Sequence, residues 1–183
     1  MLSYHRGAVV LSVAVLTSLG ALPNRPANSA KGTTNALPVI EANDNRKPAG
    51  VLKNDTLRIN LVVQMARWYP EANDGPFVDV AALAEEGHAP TVPGPLIRVP
   101  TGTTIIATVR NSLTDSTAWM EGMMTRPSPE DSTAIKRGES HTFTFAAGQP
   151  GTYLYSVEPG HTDWNTHERE QMTSALIVDP VNG

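Results

Sequence analysis

From Asp55 onward the chain repeatedly alternates hydrophobic with polar residues at a period of two. This period puts successive side chains on opposite faces of an extended chain, so each such stretch predicts a half-buried β-strand. The predicted strands are Leu57–Val63, Leu96–Val99, Thr103–Arg110, Ala118–Met123, Ser140–Phe145, Thr152–Glu158 and Ser174–Val178, while Val78–Glu86 fits either a strand or a helical turn. Short strands without a long amphipathic helix predict an all-β fold, a sandwich or a barrel, over residues 55–181.

One face of these strands is predicted to form the hydrophobic interior. Its members, chosen by their alternation, are Ile105, Val109, Phe143, Phe145, Tyr153, Tyr155, Leu176 and Val178. His141 shares the face of Phe143 and Phe145, which predicts a histidine at the edge of the core. His88 lies in a turn rich in glycine and proline and is predicted to be a solvated loop residue.

The N-terminal part of the chain has a different pattern. A mostly apolar run from Ala8 to Leu22 follows a polar stretch with His5 and Arg6, and it is shorter than the about 20 residues of a spanning helix. This pattern predicts a signal peptide within residues 1–30, cleaved near Gly20 or after Ala30, and an exported, periplasmic or extracellular protein without a stable membrane span after cleavage. An uncleaved membrane anchor is the alternative. Residues 31–54 show no sustained period and predict a flexible linker.

Composition removes several classes of function. The chain has 183 residues, which corresponds to about one domain plus a leader. Its net charge of -4 gives no general basic field, so nucleic acid is not an expected partner. The absence of cysteine excludes disulfides, zinc–thiolate sites and any blue-copper centre that needs a cysteine ligand.

Several short segments, in order and at regular spacing, carry a family resemblance. They are Pro93–Val99, Gly102–Thr103, Val109–Leu113, Gly138–Ser140, Phe143–Phe145, Gly151–Tyr155 and Ala175–Asp179. Together they resemble the first cupredoxin (plastocyanin-like) domain of multicopper oxidases, over roughly Asp55 to Pro180. The resemblance implies a Greek-key β-sandwich and names copper as a candidate cofactor.

The resemblance fails at the residues that bind copper. In that family the strand after the Asn-x-Leu turn carries His-x-His-Gly, and the Gly-Thr-Tyr strand ends in His-x-His, so that neighbouring strands hold a copper cluster through imidazole nitrogens. In this sequence the first pair aligns with Trp119 and Glu121, and the second aligns with Ser156 and Glu158. The five histidines include no His-x-His pair. The chain alone is therefore predicted to lack oxidase activity, as a truncated or degenerate homologue.

Glu121 and Glu158 come close together if the two strands pair as they do in the family. A pair of carboxylates could bind a hard cation or act as acid and base. The alternative is that solvated charge has simply replaced the copper ligands. The sequence favours the second interpretation.

The segment from Trp119 to Met124 contains three of the six methionines. Thioethers are soft ligands that suit Cu(I), and an indole can cover a cuprous ion. A Cu(I) site is therefore a second hypothesis, with Met123, Met124, His161 and His167 as ligands. The alternative, which the sequence favours, is that the methionines fill gaps in the core and the histidines are solvated.

Three functions remain open from the sequence. The chain is a degenerate multicopper oxidase domain, a periplasmic Cu(I)-binding module, or a domain that docks onto other cupredoxin domains or an envelope protein. None of these interpretations assigns a catalytic residue. The sequence does not identify a substrate.

Overall fold

The computed structural model describes residues 36–126, 132–160 and 172–181. The predicted signal peptide with its cleavage positions, the first residues of the predicted linker, and His161 and His167 all lie outside these ranges. Within the same ranges, no helix has the length and apolar character needed to cross a membrane.

The described residues form an all-β structure with two five-stranded sheets. Sheet I contains β2 (Val51–Lys53), β3 (Thr56–Trp68), β4 (Val78–Glu85), β7 (Thr104–Asn111) and β10 (Ser140–Ala146). Sheet II contains β6 (Ile97–Pro100), β8 (Ala118–Glu121), β9 (Ser132–Ile135), β11 (Gly151–Pro159) and β12 (Thr173–Asp179). A separate parallel pair is formed by β1 (Glu41–Ala42) and β5 (Thr91–Val92).

Sheet I is built around β3, the longest strand. β3 pairs in parallel with β7, bringing Leu57 opposite Ile105, and pairs antiparallel with both β2 and β4. β10 pairs antiparallel with β7 and ends the sheet on that side. The alternation of Leu57, Ile59, Leu61 and Val63 turns these side chains inward, as the sequence pattern predicted.

Sheet II has the strand order β6-β12-β11-β8-β9. β12 pairs in parallel with β6, and the other neighbours are antiparallel. One hydrophobic core joins the inward faces of the two sheets, with Leu57 and Ile105 from sheet I and Ile97, Met120 and Tyr155 from sheet II. The predicted β-sandwich is therefore confirmed, and Val78–Glu86 is a strand rather than a helical turn.

All eight predicted core residues belong to the core or pack against it, but they are buried to different extents. Ile105, Val109, Tyr155, Leu176 and Val178 are buried. Three other predicted members, Phe143, Phe145 and Tyr153, are half-buried and pack against the core. Phe143 and Phe145 are partly exposed because β10 is the last strand of its sheet.

Two histidines outside the core are exposed. His141 was expected at the edge of the core, and it is exposed on β10 with its ring 4.6 Å from the ring of Phe143. His88 is an exposed turn residue, as predicted, and its Nδ1 lies 4.0 Å from Oε2 of Glu85.

The structure differs from the predicted flexible linker over residues 36–54. This part of the chain contains β1 and β2, and Ala49 packs against the main core. Ile40 is buried in a second, smaller cluster with Ala66, Val80 and Ala82. The strands are only two and three residues long, too short to produce a visible period in the sequence.

Candidate functional site

Pairing of β8 with β11 brings together the four positions where the resemblance expects histidine. Glu121 lies opposite Ser156, and Trp119 lies opposite Glu158. Because each pair is two residues apart on its strand, all four side chains share one face of sheet II. All four are half-buried. We call these four residues the substituted patch.

The other face of the same two strands belongs to the core. Met120 and Val157 lie opposite each other and expose only 1% and 2% of their surface. Side chains alternate along a strand, so the substituted patch points away from the core, toward the outer face of sheet II.

Polar side chains extend the patch sideways across the sheet. Glu121 pairs with Ser132 of β9, and Ser156 pairs with Thr173 of β12. The register therefore gives a row of four polar side chains on four adjacent strands. Glu121 and Glu158 are diagonal neighbours within the patch, a spacing of about 7–8 Å between Cα atoms. The predicted closeness of these two carboxylates thus follows from the observed strand pairing.

Gly122 lets β8 end against β11. Its φ is +77°, a left-handed conformation that residues with a side chain rarely adopt. A Cβ atom at this position would lie 2.3 Å from the carbonyl oxygen of Leu154 and 2.8 Å from Cα of Tyr155. In the resemblance this glycine aligns with the one in His-x-His-Gly, and it has this backbone conformation here with neither aligned position occupied by histidine.

Asn111 fixes the turn that leads into β8. Its side chain is fully buried, and Nδ2 donates to the carbonyl oxygens of Ser116 and Ile135, each at 2.9 Å. Its Oδ1 accepts from the backbone N–H of Leu113 at 2.9 Å. The side chain of Asn111 therefore holds three backbone groups in place. The sequence motif indicated the turn but not these hydrogen bonds.

Tyr155 ties the Gly-Thr-Tyr-Leu-Tyr strand to the Pro93-Gly94-Pro95 segment. Its hydroxyl donates to the carbonyl oxygen of Pro95, and its side chain is 1% exposed. Burial raises the pKa of this hydroxyl well above its usual range. The hydroxyl is therefore protonated and structural at neutral pH.

Of the four predicted Cu(I) ligands, the described part of the structure contains Met123 and Met124. Met123 is 4% exposed and belongs to the main core, whereas Met124 is half-buried. The two predicted histidine ligands, His161 and His167, lie outside the described residues. Burial of Met123 is what a packing role requires.

The residues of the substituted patch do not fit the copper cluster that the fold implies. They offer two carboxylates, one hydroxyl and one indole, where the cluster needs imidazole nitrogens. Across the ranges that the structure describes, no group of three or more histidine, aspartate or glutamate side chains is placed to hold a metal ion.

Comparison with known proteins identifies relatives over much of the chain. The family model described as "Multicopper oxidase" matches residues 87–182. A protein of Kuenenia stuttgartiensis named "Probable nitrite reductase-hydroxylamine oxidoreductase fusion protein" is 31% identical over 124 residues, covering 62% of this chain and 14% of that protein. The chain thus spans only a small part of this curated relative.

Solved structures share the fold. The copper nitrite reductase of Nitrosomonas europaea matches with a TM-score of 0.50 and 27% identity, covering 69% of this chain and 42% of the other. The blue copper oxidase of the same organism matches with a TM-score of 0.52 and 28% identity, covering 70% and 40%. A metallo-oxidase of Campylobacter jejuni matches with a TM-score of 0.52, covering 80% and 31%, and at 20% identity it supports the fold alone. The predicted cupredoxin-like sandwich is confirmed.

Proposed function

This chain belongs to the multicopper oxidase family, and we propose that it is an exported cupredoxin-like domain without oxidase activity on its own. The observation that carries the proposal is the geometry of the substituted patch. The strands pair so that the four aligned positions meet on one face, and none of the four side chains is an imidazole.

The donor chemistry supports the absence of oxidase activity. Carboxylate and hydroxyl oxygens are hard ligands, whereas copper in this type of cluster is held by imidazole. Electron entry in the family also uses a cysteine-bound copper, and this chain has no cysteine. These residues therefore supply neither the imidazole ligands of the cluster nor the cysteine of the electron-entry site.

The test is oxygen consumption by the purified protein after reconstitution with Cu(II), with a phenol or an oxidisable metal ion as reductant. We expect no turnover above a metal-free sample. Copper-dependent turnover that persists through purification would refute the proposal.

A gain-of-binding variant makes the test more specific. Replacing all four residues of the substituted patch by histidine (Trp119→His, Glu121→His, Ser156→His and Glu158→His) should create a Cu(II) signal in electron paramagnetic resonance that the unmodified protein lacks. This variant should still consume no oxygen, because it has no cysteine. An equal signal in both proteins would mean that the patch already binds Cu(II).

A docking role is the second candidate, and one exposed side chain favours it. Leu154 is 63% exposed and lies two residues before Ser156, on the same outer face of sheet II. Single exposed apolar side chains are common on protein surfaces, so it is the position of Leu154 beside the substituted patch, rather than its exposure, that supports docking. The matched structures are longer than this chain, which covers 40–42% of the two from Nitrosomonas europaea. We infer that the outer face of sheet II contacts a further cupredoxin domain or an envelope protein.

The docking proposal is tested with the product of any oxidase-like reading frame next to this gene. Leu154→Glu should abolish co-purification of the two proteins. Val51→Glu is the matched control, because Val51 is 68% exposed but lies on sheet I. Equal retention by both variants would remove the outer face of sheet II from consideration.

A Cu(I) site at Met123, Met124, His161 and His167 stays a separate prediction. Met124 is the more accessible of the two methionines, so Met124→Leu is the informative variant. In competition with a Cu(I) chelator under reducing conditions, a metal site requires the variant to compete less well than the unmodified protein. Equal competition would remove Met124 from the site, and equal competition by the double variant Met123→Leu, Met124→Leu would assign both methionines to packing.

A further inference from the structure

β10 forms one edge of sheet I and is unusually open. Its seven residues run from Ser140 to Ala146, and among the described residues β7 is its only partner strand. The strand contains no charged residue and no proline. A strand of this kind presents unpaired backbone N–H and C=O groups to any other extended chain.

The other edge strands of the described structure carry features that discourage such pairing. β2 is three residues long and ends in Lys53, and β9 has four residues. β6 has four residues, including Arg98 and Pro100. β4 is long but contains Asp79 and Glu85. Short length, charge and proline are the usual protections of sheet edges, and β10 has none of them.

Hydrogen bonds at the two ends of β10 establish which backbone groups face outward. The N–H of Asn111 donates to the carbonyl of Glu139 at 2.9 Å, and the N–H of Ala147 donates to the carbonyl of Thr103 at 2.8 Å. Bonded positions alternate along an antiparallel pair, so the odd-numbered residues of β10 bond to β7. The even-numbered residues direct their N–H and C=O groups to the open side, and they are Ser140, Thr142, Thr144 and Ala146.

We infer that β10 is a self-association edge through which two copies of this chain pair antiparallel about a two-fold axis at Phe143. In this register Thr142 lies opposite Thr144 of the second copy, and both are positions with outward backbone groups. All seven residues overlap, which gives about eight backbone hydrogen bonds between the copies. The pairing joins two five-stranded sheets into one continuous sheet.

The side chains of β10 suit a second copy of the same strand. Phe143 would face Phe143 of the second copy, and His141 would face Phe145, so that aromatic rings meet aromatic rings. Threonine would meet threonine on the other face. Such cross-strand pairs are favourable, and no like charges oppose each other. Phe143 and Phe145, which are half-buried in one copy, would become better covered.

The association should be reversible. One pair of strands buries less than the about 1,200–2,000 Å² of a stable protein complex. We therefore expect sedimentation equilibrium of the purified protein to give the monomer mass at low concentration and a doubled mass at high concentration. A monomer mass at every concentration would overturn the inference.

Matched variants locate the interface. The double variant Thr142→Lys, Thr144→Lys places like charges across the proposed ladder and should remain monomeric. The control Asn60→Lys, Thr152→Lys adds the same charge at exposed positions of β3 and β11 and should still dimerise. Circular dichroism must show that both variants retain the β fold. Dimerisation of both variants would place the interface elsewhere and refute the role of β10.

Residue-resolved hydrogen exchange tests the register independently of the variants. The amides of Thr142, Thr144 and Ala146 should exchange more slowly as protein concentration rises. The amides of Phe143 and Phe145 bond to β7 and should be protected at all concentrations. If the even-numbered amides are instead protected equally at low concentration, another segment of the same chain covers the edge and the inference fails.

Discussion

The inward and outward faces of the β8–β11 pair carry different kinds of side chain. On the inward face, Met120 and Val157 remain buried hydrophobic residues packed in the core. On the outward face, none of the four positions that align with the family's histidines carries a histidine. The same few residues thus pack the core on one face and, on the other, carry no imidazole at the positions aligned with the family's ligands.

The difference shows that the side chains that pack the core and those that align with copper ligands are separate sets in this sandwich. Period-two alternation assigns adjacent residues to opposite faces, so packing constrains one set and ligand chemistry the other. Half-buried outward positions accept a carboxylate, a hydroxyl or an indole without disturbing the core. Membership of a fold family therefore does not by itself establish the family's activity for this chain.

The largest effect should come from the inward face. Met120→Ala removes a side chain that is 1% exposed and should lower the free energy of unfolding by about 2–5 kcal/mol, the usual range for a buried Met. Ser156→Ala, on the outward face, should change it by less than about 0.5 kcal/mol, as surface substitutions usually do. Urea unfolding of both variants provides the measurement. Equal losses would mean that the two faces are not separable.

Gly122→Ala should have the next largest effect. The residue has a positive φ, and an added Cβ atom would lie 2.3 Å from a backbone oxygen, an overlap that no side-chain rearrangement can relieve. Strained backbone conformations of this kind cost about 1–3 kcal/mol. Gly138→Ala is the control, because Gly138 has the same φ of +77° but no atom within 4 Å of its Cβ position. A larger loss of stability for Gly122→Ala would show that the close contact adds a cost beyond the backbone strain. Equal losses would mean that the positive φ accounts for the whole effect.

The sequence predicted the fold well where strands are long and alternate. Leu57 to Val63 shows the pattern clearly because one side of β3 faces the core and the other faces outward in this stretch. β1, β2 and β5 were not predicted, since strands of two or three residues give no readable period, and β9 was missed although β6 and β8, also of four residues, were predicted. Their places are set by tertiary pairing, as when Ile40 packs against Ala66 in the smaller cluster.

The candidate site was predictable up to Gly122. Alignment of the two motifs placed the substituted patch correctly on one face, because period two holds along β8 and β11. β8 ends at Glu121, and beyond it alternation no longer shows on which face a side chain lies. The burial of Met123 could therefore not be derived from its neighbours. Sequence alone also gave no indication that β10 would be the end of its sheet.

Tyr155→Phe should have a smaller effect than Met120→Ala and an effect comparable with that of Gly122→Ala. The variant keeps the buried ring and removes only the hydroxyl that donates to Pro95, which should cost about 1–3 kcal/mol by leaving a buried carbonyl unsatisfied. Tyr153→Phe is the matched control, because the hydroxyl of Tyr153 donates to Gln149 in an exposed hydrogen bond. A loss in Tyr153→Phe as large as in Tyr155→Phe would show that depth in the core does not determine the cost.

The alkaline behaviour of Tyr155 follows from its pKa. Burial raises the folded pKa, so its contribution to stability is fully present below the unfolded value of about 10 and is lost as the pH rises toward the folded value. Tyr155→Phe should therefore weaken the fall of stability above about pH 10. Urea unfolding at neutral and alkaline pH measures this difference.

The smallest effect should come from an ion pair on the outward face of sheet II. Arg98 of β6 donates from Nε and Nη2 to the two carboxylate oxygens of Asp179 on β12, at 2.9 and 3.0 Å. The hydrogen bond from Arg98 lowers the pKa of Asp179. A lowered carboxylate pKa contributes stability above the unfolded value of about 3.9, and this contribution is lost as the pH falls through the folded value.

Arg98→Met should therefore reduce stability slightly at pH 7, and the difference from the unmodified protein should vanish in acid, once Asp179 is protonated. Added salt should shrink the difference at pH 7, because both partners are exposed to solvent. Lys53→Met serves as a control for removal of one positive charge at an exposed position. If the stability difference between Arg98→Met and the unmodified protein were the same at neutral and acidic pH, the Arg98 side chain would stabilise sheet II by packing rather than by charge. The outward face would then contribute to the fold in the same way as the inward one.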